Sequence, residues 1–319
     1  MNPQASLWRP RASIATLRAR ARMLATTRAF FARLGVLEVD TPIASQAATV
    51  DRNIDSLRVD DGSWLQTSPE FAMKRLLAAG IGPCYQIAHV FRRENCGRLH
   101  QPEFTLLEWY RPGWTHLQLM EEVEALVRAL GAGARRFERR SYRQVFGEFV
   151  GADPFTATPA DLRRILRQRD QELPRTSTVA ELDFWLDACM GLLVLPRLGV
   201  EAPCFIFDYP ASQAALARVR NDDPPVAERF ELVWRGLELA NGFNELLDAE
   251  EQARRFAADL DWRARHGRDR PPADERLLAA LAAGLPACAG VALGLDRLLM
   301  LLLSLPEIAD VMAFDRERA

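Results

Sequence analysis

Residues 85–110 read YQIAHVFRRENCGRLHQPEFTLLEWY. Both ends of this stretch are rich in aromatic and β-branched residues, while the middle, RENCGRLHQP, is charged and hinged on Gly97. The spacing therefore predicts strand, loop, strand. Along the second strand, alternation puts Phe104, Leu106, Glu108 and Tyr110 on one face. A glutamate in an otherwise apolar and aromatic row needs a partner, and a cationic ligand would serve. On the first strand Arg92 and Glu94 share a face. The planar guanidinium can grip a phosphate, or the two side chains can form an ordinary surface ion pair.

Working outward, GVALGLDR at 290–297 alternates Gly290, Ala292 and Gly294 on one face with Val291, Leu293 and Leu295 on the other. The nearly bare face either lets a flat ligand approach the backbone under Arg297 or lets another element pack closely. In ERFELVWRGLELANGFNEL, a two-residue turn at Arg235-Gly236 sets Val233 opposite Glu238 and Glu231 opposite Ala240. Glu231 and Glu238 are then diagonal neighbours on one face, either a solvated surface or a pair suited to a hard cation such as Mg²⁺. Glu245 falls on the other face of an unbroken strand unless Asn241-Gly242 forms a bulge that turns it back.

Helical patterns flank these strands. Ile14, Leu17, Ala21, Leu24 and Phe31 give an amphipathic helix ended by Gly35, and VLEVDTP follows as a short strand stopped at Pro42. Ser68-Pro69-Glu70 opens a second helix, with Ser68 as N-cap and Gly80 as C-terminal cap. Roughly residues 131–200 read as a helical insertion, including DLRRILRQRD and VAELDFWLDACMGLL. Strands in clusters separated by helices indicate an α+β fold with a mainly antiparallel sheet.

The 319 residues are 49% hydrophobic and 26% charged, which excludes disorder as the dominant state. With 41 basic and 43 acidic side chains the net charge is -2, so nucleic acid could bind only through a local patch. Cysteines at 84, 96, 189, 204 and 288 form no CxxC pair, and none of the four histidines has ligand spacing. This argues against zinc and fits a reducing cytoplasm. No segment approaches the ~18 apolar residues of a membrane span; Leu298–Leu303 reads as part of a buried helix.

Together these segments resemble the three signature motifs of class II aminoacyl-tRNA synthetases, and in detail those of lysyl-tRNA synthetases. FFARLGVLEVDTP is similar to motif 1, FRREN through HQPEFTLLEWY to motif 2, and GVALGLDR to motif 3. TSPEFAMKRLL, FDYP and ELANGFNEL match in order. Motif 1 begins about 25 residues from Met1, and the expectation is therefore a chain without an anticodon-binding domain. The expectation is a single catalytic domain over 1–319. TSPE, MKRLL, EWYRP, YPASQ, ELANGF and GVALG resemble the stand-alone paralogue family, the elongation factor P β-lysine ligases.

The resemblance implies the following roles. Arg92 holds the α-phosphate of ATP, Glu94 contacts the adenine edge, and Phe104 and Arg297 sandwich the base. Arg93, Gln101, Leu239 and Gly294 complete the nucleotide contacts. Glu231 and Glu238 bind Mg²⁺. Ser68, Pro69, Glu70, Glu108, Tyr110, Asn241, Glu245 and Ala292 line the amino-acid pocket, with Arg92, Glu238 and Arg297 as the catalytic set. Ala292 stands where lysyl-tRNA synthetases have glycine, which favours β-lysine over α-lysine; Gln101 and Asn244 stand for an asparagine and a histidine. The implied activity is ATP-dependent activation of β-lysine and its transfer to elongation factor P by a cytoplasmic homodimer, without tRNA or membrane. Acylation of tRNA, or a non-catalytic regulatory role, are the alternatives.

Overall fold

The computed structural model describes residues 7–94, 96–133, 135–171 and 181–319. Residues 1–6, Asn95 of the charged loop, and Ala134 and residues 172–180 of the expected insertion lie outside it, as do the first two residues of the VAELDFWLDACMGLL pattern. In chain order the elements are α1 (Ile14–Arg33), β1 (Leu37–Glu38), β2 (Ala44–Ser45), β3 (Trp64–Leu65), α2 (Glu70–Ala78), β4 (Cys84–Phe91), β5 (Glu103–Pro112) and α3 (His116–Ala129). Then follow β6 (Glu138–Ser141), α4 (Tyr142–Phe149), α5 (Pro159–Gln168), α6 (Leu182–Cys189), β7 (Cys204–Pro210), β8 (Val219–Arg220), β9 (Val226–Trp234) and β10 (Leu237–Asn244). The chain continues with α7 (Ala249–Arg265), α8 (Glu275–Gly284), β11 (Cys288–Gly294) and α9 (Leu295–Leu302). The described residues divide into two compact units, one within Met1–Gly133 and Leu247–Ala319, the other within Ala134–Leu246.

In the first unit the strand order is β1-β4-β5-β11, with β1 parallel to β4 and the remaining pairs antiparallel. Residues opposite one another in a ladder point to the same side. Tyr85 pairs with Trp109, Trp109 with Val291, and Leu107 with Leu293, giving one continuous buried apolar face. Phe31 of α1 seals it, stacking on Tyr85 at 4.4 Å and meeting Trp109 edge-on at 5.4 Å. The buried stripe of the helix is shifted from the expected one: Phe31 is buried as expected, but Thr16, Met23, Thr27 and Phe30 are the other inward residues, Leu17 and Leu24 are half-buried, and Ile14 is 59% exposed. Thr27 donates its hydroxyl to the Met23 carbonyl at 2.9 Å, so a threonine satisfies itself in an apolar setting. Residues of the expected motif 1 strand are paired as strand only at Leu37–Glu38. At α2 the N-cap is Pro69 rather than Ser68, yet the Ser68 hydroxyl still accepts from the Glu70 amide at 3.0 Å.

The second unit orders its strands β10-β9-β7-β6, with β8 also on β9. β6 lies inside the stretch expected to be helical and pairs parallel with β7; its sequence, ERRS, has no apolar alternation to announce it. Tyr142, Phe146, Leu162, Leu166, Trp185 and Leu186 from α4–α6 form its core with Cys204, Ile206 and Val233 from the strands. Thus α+β architecture and mainly antiparallel pairing hold in both units. Among the described residues no helix is long and apolar enough to cross a membrane.

The β9–β10 hairpin is anchored by Gly199, whose carbonyl accepts from the Arg235 amide at 2.8 Å. Gly199 has φ +67°, and a Cβ there would lie 2.6 Å from the Val233 carbonyl oxygen. Backbone strain and this clash together make Gly199→Ala cost at least about 2 kcal/mol in urea unfolding; a wild-type midpoint would refute the close approach.

Candidate active site

The face of β4, β5 and β11 opposite the apolar seal carries Gln86, Ala88 and Val90, then Phe104, Leu106, Glu108 and Tyr110, then Gly290, Ala292 and Gly294. Ala292 pairs with Glu108 and packs against the cluster of Ala88, Val90 and Leu106. The expected row on β5 and the nearly bare row on β11 are therefore neighbours on one floor. Glu108, 2% exposed, accepts from the Ser68 hydroxyl at 2.5 Å and the Tyr110 hydroxyl at 2.6 Å. Each of its two oxygens thus has a hydroxyl donor, which satisfies the buried polar group. Glu70 is paired with Lys74 at 2.8 Å. Lys74, 2% exposed at its side chain, had no site role in the sequence reading; its i,i+4 spacing from Glu70 on α2 is the signal that finds it.

The loop between β4 and β5 closes through Arg92, whose amide donates to the Pro102 carbonyl at 2.9 Å. The Arg92 guanidinium lies over the Phe104 ring, 5.1 Å from its centroid, and donates to the Thr67 carbonyl at 3.4 Å. Arg297 donates to the Leu99 carbonyl at 3.4 Å, and its Nη2 lies 2.8 Å from His100 Nε2. Glu94 stands 3.8 Å from His100 on the same ring nitrogen. Burial lowers the His100 pKa and Arg297 lowers it further, with Glu94 opposing and Arg92 reinforcing. The neutral ring therefore accepts from Arg297. Gln101 is buried and turned toward the Arg316 amide, 3.5 Å away, while Arg93 pairs with Asp269 at 3.2 Å.

Asp296 had no role in the sequence reading. It is buried at the start of α9, taking Arg20 Nη1 and the Thr105 amide, each at 2.5 Å, while Arg20 Nη2 donates to the Thr105 hydroxyl at 2.6 Å. This clamp fixes the helix turn that carries Arg297 against β5. Its sequence signal is an acidic residue placed between Leu295 and Arg297, just ahead of the apolar run Leu298–Leu303.

In the second unit the hairpin turns at Arg235 and Gly236, with φ +50° and +76° as a two-residue turn requires. Glu238 pairs with Val233 as expected, but the register then shifts, so Glu231 faces Asn241 rather than Ala240. The extra residue is Leu239. This bulge, and not Asn241-Gly242, changes the alternation and brings Asn241, Phe243 and Glu245 to the side of Glu231. Asn244 points the opposite way and donates to Glu228 at 2.8 Å, beside a bidentate Arg218.

Glu231 is not an unpaired carboxylate. Arg229, two residues earlier on the same strand face, donates to it at 2.6 Å, to Asn241 at 3.2 Å and to the Gln213 carbonyl at 2.8 Å, and lies over the Tyr209 ring at 4.6 Å. Burial works to lower the Arg229 pKa, but Glu231 and the neighbouring acidic groups outweigh it and raise the value. The side chain stays cationic. Arg229 was missed because a strand neighbour two residues away is visible only once the face is known.

The sequence matches the family model of class II tRNA synthetases (D, K and N) over residues 4–318, and the chain belongs to that family. Among curated proteins it is similar to one named elongation factor P–(R)-beta-lysine ligase from Proteus mirabilis (strain HI4320), 46% identical over 98% of each chain. Proteins of the same name from Salmonella dublin and Salmonella paratyphi B are 45% identical over 99% of each chain.

With four histidines in the chain, the His100 ring can be followed by NMR. It will titrate below the ordinary 6.5, and Arg297→Ala will raise its pKa without restoring it fully, because burial is the larger cause. The neutral ring's contribution to stability is present above 6.5 and is lost as pH falls through the depressed value. A His100 titration at or above 6.5 would remove the Arg297 contact from the site.

Proposed function

We propose that the protein activates (R)-β-lysine with ATP and transfers it to a lysine side chain of elongation factor P. The observation that carries this reading is the correspondence, across nearly the full length of both chains, with proteins named for that ligation. Ala292 beside Glu108 supports the choice of substrate, because a methyl group on the floor suits an amino group displaced from the α-carbon.

In the first step a carboxylate oxygen of β-lysine attacks the α-phosphorus of ATP, the bridging P–O bond breaks and pyrophosphate leaves. Arg92, held over Phe104 and against Thr67, is assigned to the α-phosphate, where a fixed cation offsets developing charge. Phe104 and Arg297 offer a ring and a planar guanidinium to the adenine, and Glu94 its edge. Arg93, Gln101, Leu239 and Gly294 are the remaining nucleotide contacts of this proposal. In the first unit the substrate's ammonium groups would be received among Glu70, Glu108 and Tyr110, with Ser68 and Pro69 shaping the entrance to α2; in the second, Asn241 and Glu245 are assigned to the amino acid by the family resemblance alone.

Glu231 and Glu238 form an oxygen donor pair of the kind Mg²⁺ accepts, and Arg229 reduces their mutual repulsion. Among the described residues no group of three or more His, Cys, Asp or Glu side chains is arranged to hold a metal ion, so phosphate oxygens would complete the shell. Bound there, Mg²⁺ would neutralise phosphate charge. In the second step the acceptor amine attacks the adenylate carbonyl, the C–O bond to phosphate breaks, AMP leaves and the amine proton passes to solvent. A cytoplasmic location and a homodimer built on the motif 1 segment complete the proposal.

Incubation with ATP, radiolabelled α- or β-lysine, and either elongation factor P or tRNA tests the acceptor directly. Label on elongation factor P with β-lysine is expected; label on tRNA alone would overturn the reading in favour of a minimal synthetase. Arg92→Ala will lower β-lysine-dependent ATP–pyrophosphate exchange by at least about a hundredfold. Ala292→Gly will shift preference toward α-lysine, and an unchanged ratio would refute the role of the methyl group.

A further inference from the structure

Arg263, in the last turn of α7, is 1% exposed, yet it is a cation. Its Nε donates to the Asp269 carbonyl at 2.5 Å, Nη1 to the carbonyls of Asp51 and Ile54 at 2.7 and 3.1 Å, and Nη2 to Asp55 Oδ1 at 2.6 Å. A guanidinium survives burial only when an anion and acceptors surround it. A residue serving only to close α7 would need carbonyls near the end of that helix. Asp269 supplies one, but the other three acceptors come from residues 51–55, more than two hundred positions away in the chain.

That segment touches the candidate site through its backbone. The Asp55 carbonyl accepts from the Arg93 amide at 2.8 Å, and the second carboxylate oxygen of Asp55 accepts from Arg268 at 2.8 Å. The adjacent amide, of Arg92, closes the loop on Pro102, and the Glu94 amide turns back onto the Arg92 carbonyl at 2.9 Å. Three successive amides at the start of the charged loop are thus committed, and the middle one is tied to Asp55. Arg93 adds a second tie, its side chain pairing with Asp269, whose carbonyl Arg263 also holds.

We infer that Arg263, acting through Asp55, is a positioning residue that sets the direction in which Arg92 and Glu94 leave the loop, and hence the affinity for the nucleotide. The inference rests on the nucleotide role proposed for Arg92 and Glu94. Misplacement of such groups by about 1 Å costs up to about a hundredfold. Asp55 is partly exposed and Asp55→Asn keeps its shape, so this variant weakens the guanidinium pairing without opening a cavity; Arg263→Lys keeps the charge but loses the fork.

The experiment combines hydrogen–deuterium exchange, thermal melting and steady-state kinetics on full-length wild type, Asp55→Asn and Arg263→Lys. Faster exchange at residues 92–102 and a KM for ATP raised about tenfold or more, with KM for the amino acid unchanged, is expected in Asp55→Asn. Unchanged exchange in that loop overturns the inference whatever the activity of the enzyme. Equal increases in both KM values, or a Tm loss with no selective change, also overturn it by reducing Arg263 to a structural role. Absence of β-lysine-dependent ATP–pyrophosphate exchange in the wild type would instead refute the proposed function, leaving the loop measurement to judge the tether.

Discussion

A single buried carboxylate organises the first unit. Asp296 takes one guanidinium nitrogen of Arg20 on α1 and the Thr105 amide of β5 while sitting in the first turn of α9. Three segments that are far apart in sequence meet at two oxygen atoms. A charge this deep is tolerated because its hydrogen bonds are complete, and removing one partner would strand another. The apolar seal around Phe31, Tyr85 and Trp109 supplies burial without direction; the Asp296 clamp supplies direction. Arg297 leaves the helix toward His100 and the charged loop because the residue before it is fixed.

Much of this architecture is legible in the order of residues. Alternation along β5 and β11 correctly sorts Glu108, Tyr110 and Ala292 from Leu107, Trp109 and Leu293, because a strand has only two faces. The Arg235-Gly236 turn is legible for the same local reason. Errors arise where a tertiary partner changes the meaning of a residue. Thr16 and Thr27 look polar in a hydrophobic pattern, yet Thr27 satisfies its hydroxyl within its own helix, so the inward face of α1 is shifted. β6 carries charge on an edge and lacks a pattern. The bulge was expected at Asn241-Gly242 on conformational grounds, whereas the ladder slips at Leu239.

The acidic groups illustrate a second limit. From sequence, carboxylates in an apolar row call for an external cation, but several already have internal partners: Lys74 for Glu70, Ser68 and Tyr110 for Glu108, Arg229 for Glu231. These contacts fix the orientation of each carboxylate within the fold. Counting charges along a strand finds the carboxylates. It does not find the counter-ions, which enter from α2 or from two residues along the same strand.

The slip at Leu239 makes the hairpin a parity device. Side chains upstream of it on β10 keep one alternation and those downstream keep the other, so Glu238 and Asn241 share a side although they are separated by an odd interval. Loss of one residue between Glu238 and Asn241 would turn the bulge into a regular ladder and leave Asn241 opposite Glu231, so the faces beyond would be kept; moving the extra residue beyond Asn241 would instead set Asn241 opposite Phe230 and turn it away. The constraint is therefore on where the extra residue sits: the hairpin keeps its downstream faces with or without Leu239, so long as the slip stays upstream of Asn241.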